Sequence, residues 1–358
     1  MFRYAKYHIT KTHGFCTENP GLGFLKSLEP HIALLKDQKS INPCSIRSLP
    51  MQKGIENLNY EELELSCLVH SMINSLYYWN SEIPNTVIPA NIAKPTIKIS
   101  KLLDRPPILT IVSTQFYNWD YIDYSKSFHP DNTKMMFSFS GTRDEDYFFT
   151  CANYIEYLGA PAVKSILELE DDIENPKKLR NHLITIGESL YSMKDSIKIL
   201  RKNCDPEVFY FGFRNKLKGF DKGVIFEGEE PITMKLMGPS AVQSPLFKLI
   251  DAVLGISHNN PYLDFTEKFM KKQHRELIND IRKRDSSKLK EKVKQYDLQK
   301  EWNYVISECC EYRKIHTDLA VDYIIKPSNQ NDAKGTGGSS LVEFLNNVIM
   351  TTKFHMIS

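Results

Sequence analysis

The sequence lacks the patterns that mark several common classes of protein. Its seven cysteines are scattered and include no C-x-x-C pair, which argues against a disulfide framework and against a zinc site. No window approaches the roughly 20 apolar residues that a membrane span needs. The first ten residues also lack the apolar run of a signal peptide. We therefore expect a protein of the reducing cytoplasm with no membrane partner.

A strong charge of one sign is also missing. The formal net charge is only +2, so no overall field would recruit nucleic acid. The stretch 271–300 is rich in lysine and arginine, but five acidic residues interrupt it. This mixture favours a solvated helix face over a nucleic-acid patch, and we expect no nucleic-acid partner.

The distribution of proline divides the chain into two parts. Up to about residue 140, prolines recur and predict short helices, extended segments and a small sheet, with one clear helix near 60–79. From about residue 144, long periodic stretches predict helices, with a break expected at Gly159 and Pro161. We expect a mainly α fold, with a smaller mixed, mostly helical N-terminal domain (1–140) and a large all-helical domain (141–358).

A histidine lies on the apolar stripe of one predicted helix. Trp302, Cys309, His316 and Tyr323 are seven residues apart, so His316 should point into the core. Arg313 lies one turn earlier on nearly the same side and would need an acid or an anionic ligand. A single nitrogen ligand suits haem iron, because the porphyrin supplies four more. A hydrogen-bonded core histidine is the alternative, and periodicity does not decide between them.

An aromatic and basic cluster is the second candidate site. The segment 206–214, PEVFYFGFR, contains four aromatic residues and ends in Arg214. Helical spacing would place Tyr210 and Phe211 on one face with Arg214. Such a face could hold a planar apolar ligand while the guanidinium pairs with its carboxylate. A core aromatic cluster whose arginine extends to solvent is the competing interpretation.

Taken in order, these features resemble the indoleamine 2,3-dioxygenase family along nearly the whole chain. The runs that carry the resemblance are YHIT at 7–10, VIPANIAKP at 87–95, RPPIL at 105–109, FSF at 137–139, PSAVQS at 239–244, DAVLGI at 251–256 and KGTGG at 334–338. Each run is weak alone, and the combination is specific.

The resemblance implies a haem b site in the large domain, with His316 as the iron ligand. It implies cofactor-binding positions for Arg313 and Ala152 and a charge pair between Arg313 and Asp251. The substrate-binding positions that it implies are Phe148, Phe209, Arg214, Ser240, Ala241 and Thr336. No side chain is assigned as a catalytic acid or base, because C2 and C3 of indole are already electron-rich and the cofactor supplies the oxygen chemistry.

The chain departs from the family pattern at several pocket positions. Ala152 stands where family members often carry a serine, so no hydroxyl is available there. Gln115 and Thr114 stand where the pocket is usually more apolar or carries a cysteine, and Pro239 replaces a glycine. These differences leave the substrate preference open.

The resemblance implies a dioxygenase that cleaves the indole 2,3-bond of L-tryptophan, or of a related indoleamine, with O2 to give N-formylkynurenine. This reaction is the first step of the kynurenine pathway. The implied partners are an electron donor for the iron and no second subunit, since a monomer is expected. Two alternatives stay open: a relative that acts on another indole or by monooxygenation, and a non-catalytic haem-binding sensor.

Overall fold

The computed structural model describes residues 2–18, 25–37, 41–328 and 341–358. The α-helices are α1 (Phe2–Lys6), α2 (Glu29–Lys36), α3 (Pro43–Arg47), α4 (Tyr60–Tyr78), α5 (Ala90–Leu103), α6 (Arg143–Asp172), α7 (Pro176–Asn203), α8 (Pro245–Leu254), α9 (Pro261–Thr266), α10 (Lys272–Arg282), α11 (Ser286–Gln295), α12 (Gln299–Ala320), α13 (Lys326–Ser328) and α14 (Leu341–Lys353). The prediction of a mainly α fold is confirmed. The helix predicted near 60–79 is α4.

Strands are few and short. Strand β1 (Val87–Ile88) pairs in parallel with β4 (Ile225–Phe226), and β2 (Trp119–Tyr121) pairs antiparallel with β3 (Thr133–Met135). In the first sheet Val87 lies opposite Ile225, and in the second Trp119 lies opposite Met135. The first sheet joins segments far apart in the sequence, so residues near 225 pack with the N-terminal part.

Two large apolar cores organise the described residues. One core lies among α6, α7, α8, α10 and α12, and its fully buried members include Leu183, Leu246 and Trp302. The other gathers α4 and α5 with residues from the segment 220–237, such as Phe226. The division at residue 140 stays a prediction.

The predicted break at Gly159 and Pro161 is wrong, because α6 continues through both residues. The ring of Pro161 lies on the exposed side of the helix. A Cβ at Gly159 would lie 2.5 Å from Cδ2 of Leu246, which is buried at the start of α8. Gly159 therefore permits close packing of α6 against α8 rather than ending the helix.

The helical segments at 261–282 and 286–325 are each divided. A 3-10 turn, Glu267–Phe269, separates α9 from α10, and Asp297 adopts a φ of 56° between α11 and α12. A residue in the left-handed conformation cannot continue a right-handed helix. The helix α11 therefore ends before Asp297, and α12 begins after it, at Gln299. The helix that carries His316 then continues as a π-helical turn, Val321–Ile325.

None of the helices in the described ranges combines the length and the apolar character that crossing a membrane requires.

Candidate functional site

A cavity of about 860 Å³ lies between α6, α8, α12 and α14. The segment 208–218 and the loop 239–244 complete its wall. This volume falls within the range of about 300–1,000 Å³ that is typical of cofactor and small-molecule sites. The predicted site residues that line the cavity are Phe148, Ala152, Phe209, Arg214, Ser240, Ala241, Arg313 and His316. Thr336 lies outside the described residues.

His316 lies on α12 and faces the cavity. Its side chain is half-buried and makes no hydrogen bond within the part of the chain that the structure describes. The surrounding protein lowers its pKa, because burial disfavours the imidazolium. A neutral imidazole keeps a lone pair that can bind a metal ion. A hydrogen-bonded core histidine would have a partner, and His316 has none among the described residues.

Two aromatic rings stack at one end of the cavity. The ring of Phe148 on α6 lies 4.4 Å from that of Phe209, with an angle of 24° between their planes. Phe213 packs edge-on against both rings, and Tyr323 of the π-helical turn lies 5.9 Å from Phe209. Because Phe213 and Tyr323 are buried, the stack is held firmly. It offers a flat apolar surface to a planar ligand.

Arg214 follows this stack at the end of a π-helix, Val208–Phe213. Its backbone N–H donates to the carbonyl oxygen of Phe209, five residues earlier. Because the hydrogen bonds of a π-helix join residues five apart, Phe209 and Arg214 lie on the same side of the helix, and both line the cavity. The α-helical spacing had predicted Phe211 on this face, and that was wrong: 62% of Phe211 is exposed. Tyr210 was placed correctly, with its ring 4.9 Å from the guanidinium carbon.

The guanidinium of Arg214 has no carboxylate partner among the described residues. Burial lowers its pKa, while the nearby Tyr210 raises it only in part. An arginine in this setting stays charged and keeps its hydrogen-bond donors available. It can therefore accept a planar carboxylate through two parallel hydrogen bonds.

The loop that contains Ser240 and Ala241 is held by one buried glutamine. The side chain of Gln243 accepts from the Ile111 N–H at 3.2 Å and donates to the Gly238 carbonyl at 2.9 Å. A Cβ at Gly238 would collide with the backbone of Leu217, so this position requires glycine. These contacts fix the loop as one wall of the cavity.

Arg313 and Asp251 form the predicted charge pair. One terminal nitrogen of the guanidinium lies 2.7 Å from both carboxylate oxygens, and Thr352 of α14 accepts from the other. His258 also binds Asp251, at 3.1 Å. Burial opposes the charge on Asp251, but Arg313 and His258 outweigh it, so its pKa lies below the ordinary value. The pair links α8, α12 and α14 beside His316.

Sequence reasoning missed Glu156, which is 3% exposed and lines the same cavity. One carboxyl oxygen accepts from the Ser244 hydroxyl at 2.8 Å, and the other has no partner among the described residues. Burial raises the pKa of Glu156 to about 8. Its position one helical turn after Ala152 was a signal, since Phe148, Ala152 and Glu156 share one face of α6. His258, in a loop, gave no such signal.

Comparison with known proteins identifies the family of this chain. The family model described as indoleamine 2,3-dioxygenase matches residues 3–355. The chain belongs to the indoleamine 2,3-dioxygenase family. The resemblance seen in the sequence is thereby confirmed, together with the haem-dependent dioxygenase class of oxidoreductase that it implied.

Several relatives match over nearly their whole length. The chain is 27% identical to indoleamine 2,3-dioxygenase 1 of Rattus norvegicus, covering 99% of this chain and 95% of that protein. It is 26% identical to a 6-hydroxytryptophan 2,3-dioxygenase of Fusarium equiseti, covering 96% of each. It is also 24% identical to a myoglobin of Haliotis madaka, again covering 96% of each.

Proposed function

We propose that this protein is a haem-dependent dioxygenase that cleaves the indole 2,3-bond of L-tryptophan with O2 to give N-formylkynurenine. One observation carries the proposal. Within the described ranges the guanidinium of Arg214 has no acidic partner and the imidazole of His316 has no hydrogen bond, and both lie in one cavity with the Phe148–Phe209 stack. A carboxylate site, a surface for a flat ring and a metal ligand are the three features that this reaction needs together.

The cavity fits haem by the chemistry of its wall. His316 would bind the iron, and Ala152 on the facing helix has a side chain small enough to leave room beside it. When bound, haem b supplies the activation of O2, which the side chains of this chain do not provide. Arg313 and Asp251 would hold α12 against α8 close to His316, since the two charges neutralise each other in a buried setting.

The remaining residues would bind and orient the substrate. Arg214 would hold the carboxylate, and Phe148 and Phe209 would hold the indole ring flat. The loop with Ser240 and Ala241 would exclude water from this end of the cavity. These contacts lower the entropy cost of bringing the indole double bond to the oxygen, which is the main contribution that the protein can make. No protein base is required, because the indole carbons are electron-rich.

The need for an electron donor follows from the reaction rather than from the geometry of the cavity. The oxygen chemistry that haem would supply requires the ferrous state, so an external electron donor would be needed. A cytoplasmic location and a monomeric state stay predictions.

A non-catalytic haem protein is the second candidate, and the match to a myoglobin motivates it. Such a protein would need a ligand such as His316 but no site for a carboxylate. Arg214, half-buried and without an acidic partner in the described ranges, therefore favours the enzyme. The relative named for 6-hydroxytryptophan keeps a different indole open as the preferred substrate.

The deciding experiment is an assay of the ferrous, haem-loaded protein with L-tryptophan under ¹⁸O₂. We expect N-formylkynurenine that carries two labelled oxygen atoms. Arg214→Ala should raise KM by at least about tenfold, because a hydrogen bond to a charged group contributes about 1.5–3 kcal/mol. The Soret band of this variant should be unchanged.

His316→Ala should lose stable haem binding, and a wild-type Soret band in that variant would contradict its role as ligand. One labelled oxygen in the product would indicate monooxygenation. Stable O2 binding without product would favour the non-catalytic alternative.

A further inference from the structure

Gln115 is the exception in a buried segment. Every other residue from 106 to 119 is buried, and Gln115, in the π-helix Val112–Phe116, is half-buried. It also lines the cavity. Because its neighbours on both sides are enclosed, the accessible part of Gln115 faces the cavity rather than the outer surface.

The side-chain carboxamide of Gln115 has no hydrogen bond within residues 2–18, 25–37, 41–328 and 341–358, although its backbone is well bound. The carbonyl oxygen accepts from the side chain of Asn153 at 3.1 Å and from the N–H of Asn118 at 3.3 Å. The backbone is therefore fixed, while the carboxamide keeps both a donor and an acceptor. The hydroxyl of Ser196, which also lines the cavity, is already used, since it donates to the Cys151 carbonyl at 2.6 Å.

A chain of contacts leads from Arg214 along α6 to Gln115. Arg214 follows Phe209, whose ring stacks on Phe148 of α6. One helical turn later on α6 come Ala152 and Asn153, and Asn153 binds the backbone of Gln115. An amino acid with its carboxylate on Arg214 and its ring on Phe148 would thus extend its far edge towards Gln115.

We infer that Gln115 selects an indole amino acid with a hydroxyl group on the benzene half of the ring. This inference rests on the proposed function and specifies its substrate. An unsubstituted indole offers only carbon at that edge, so it would cover the carboxamide and leave its donor and acceptor unpaired. A ring hydroxyl can accept from the amide nitrogen or donate to the amide oxygen. A pocket that hydrogen-bonds a substrate hydroxyl discriminates against the analogue without it.

The test measures equilibrium binding to the ferric, haem-loaded protein by calorimetry, with L-tryptophan, 5-hydroxy-L-tryptophan and 6-hydroxy-L-tryptophan as ligands. Gln115→Met keeps the length of the side chain and removes the hydrogen bond, and Gln115→Leu repeats the test with another shape. Ser113→Ala is the matched control, since Ser113 is in the same π-helix, is buried and is not among the described residues that line the cavity.

We expect the wild-type protein and the control to bind at least one hydroxytryptophan more tightly than tryptophan. In both Gln115 variants that preference should fall by about tenfold, the equivalent of one hydrogen bond. The ratio of kcat/KM values should change in the same direction.

Equal preferences in the wild type and in both Gln115 variants would overturn the inference, as would a wild type that prefers tryptophan. These results are distinct from failure of the proposed function. If tryptophan is converted to N-formylkynurenine with an unchanged preference, only the role of Gln115 is lost. If neither tryptophan nor either hydroxytryptophan binds, the proposed function and this inference are both wrong.

Discussion

Glu156 shows how burial sets the charge of a single side chain. Its carboxyl lies on the cavity wall, with one oxygen bound to Ser244 and the other unpaired among the described residues. Desolvation outweighs the hydrogen bond from Ser244 and raises the pKa to about 8. The folded protein therefore holds this carboxyl in its neutral form at pH 7, whereas the unfolded chain ionises it.

A pH-dependent stability follows for this residue. Because the folded pKa is raised, the contribution of the neutral carboxyl is complete below the unfolded pKa and is lost as pH rises towards 8. Glu156→Gln cannot ionise. The free energy of unfolding of the wild type, relative to Glu156→Gln, should fall by at least about 1 kcal/mol between pH 5 and pH 8. Denaturant unfolding at several pH values measures this difference.

The control for this prediction is Glu188→Gln on the exposed face of α7. It should give the pH profile of the wild type. A difference between the wild type and Glu156→Gln that does not change with pH would mean that Glu156 is already charged in the folded protein.

At the scale of elements, the junction of α8, α12 and α14 depends on one carboxylate. Asp251 of α8 accepts from Arg313 of α12 and binds His258, while Arg313 donates to Thr352 of α14. The side chains of Asp251 and Arg313 are only 13% and 10% exposed. If one partner of such a pair is removed, the other is left as an unpaired buried charge.

Asp251→Asn should therefore lower the free energy of unfolding by about 3 kcal/mol. We also expect weaker haem binding, since α12 carries His316. Denaturant unfolding and haem titration followed at the Soret band measure the two effects. Asp195→Asn is a control at an exposed pair with Lys198, and it should cost less than about 0.5 kcal/mol. Unchanged stability and haem affinity in Asp251→Asn would exclude this role of the pair.

Elements also show where reasoning from sequence periodicity failed. The α-helical spacing predicted Phe211 beside Arg214, but the segment forms a π-helix and brings Phe209 there instead. Likewise, Gly159 and Pro161 predicted a break, but α6 continues through both residues and Gly159 packs closely against Leu246. In both cases a tertiary contact or a local change of helix type overrides the usual repeat.

At the scale of the whole molecule, His355 and Ile357, which follow α14, bind residues near the start of α12. The indole N–H of Trp302 donates to the His355 carbonyl at 2.7 Å. Asn303 donates to the Ile357 carbonyl at 2.7 Å and accepts from the Ile357 N–H at 2.8 Å. These bonds fix the end of α14, whose Phe344, Leu345 and Val348 line the cavity.

Asn303→Ala removes both bonds to Ile357 and should lower the free energy of unfolding by about 1–2 kcal/mol. Since α14 forms part of the cavity wall, faster loss of haem to an acceptor apoprotein should accompany this change. Asn347→Ala, at an exposed position of α14, is the control and should be near neutral. A stable Asn303→Ala protein with wild-type haem retention would show that the returning segment does not support the cavity.

The sequence by itself determined the helical class, the family and the inward direction of His316, because helical spacing and short motifs are local properties of the chain. It also indicated the partner of Arg313, through the family resemblance. Only the tertiary structure decided that Glu156 faces the cavity, that the carboxamide of Gln115 has no partner among the described residues, and that Phe209 shares a face with Arg214. These facts depend on how separate helices pack and on one segment forming a π-helix, and neither is encoded in the spacing of apolar residues.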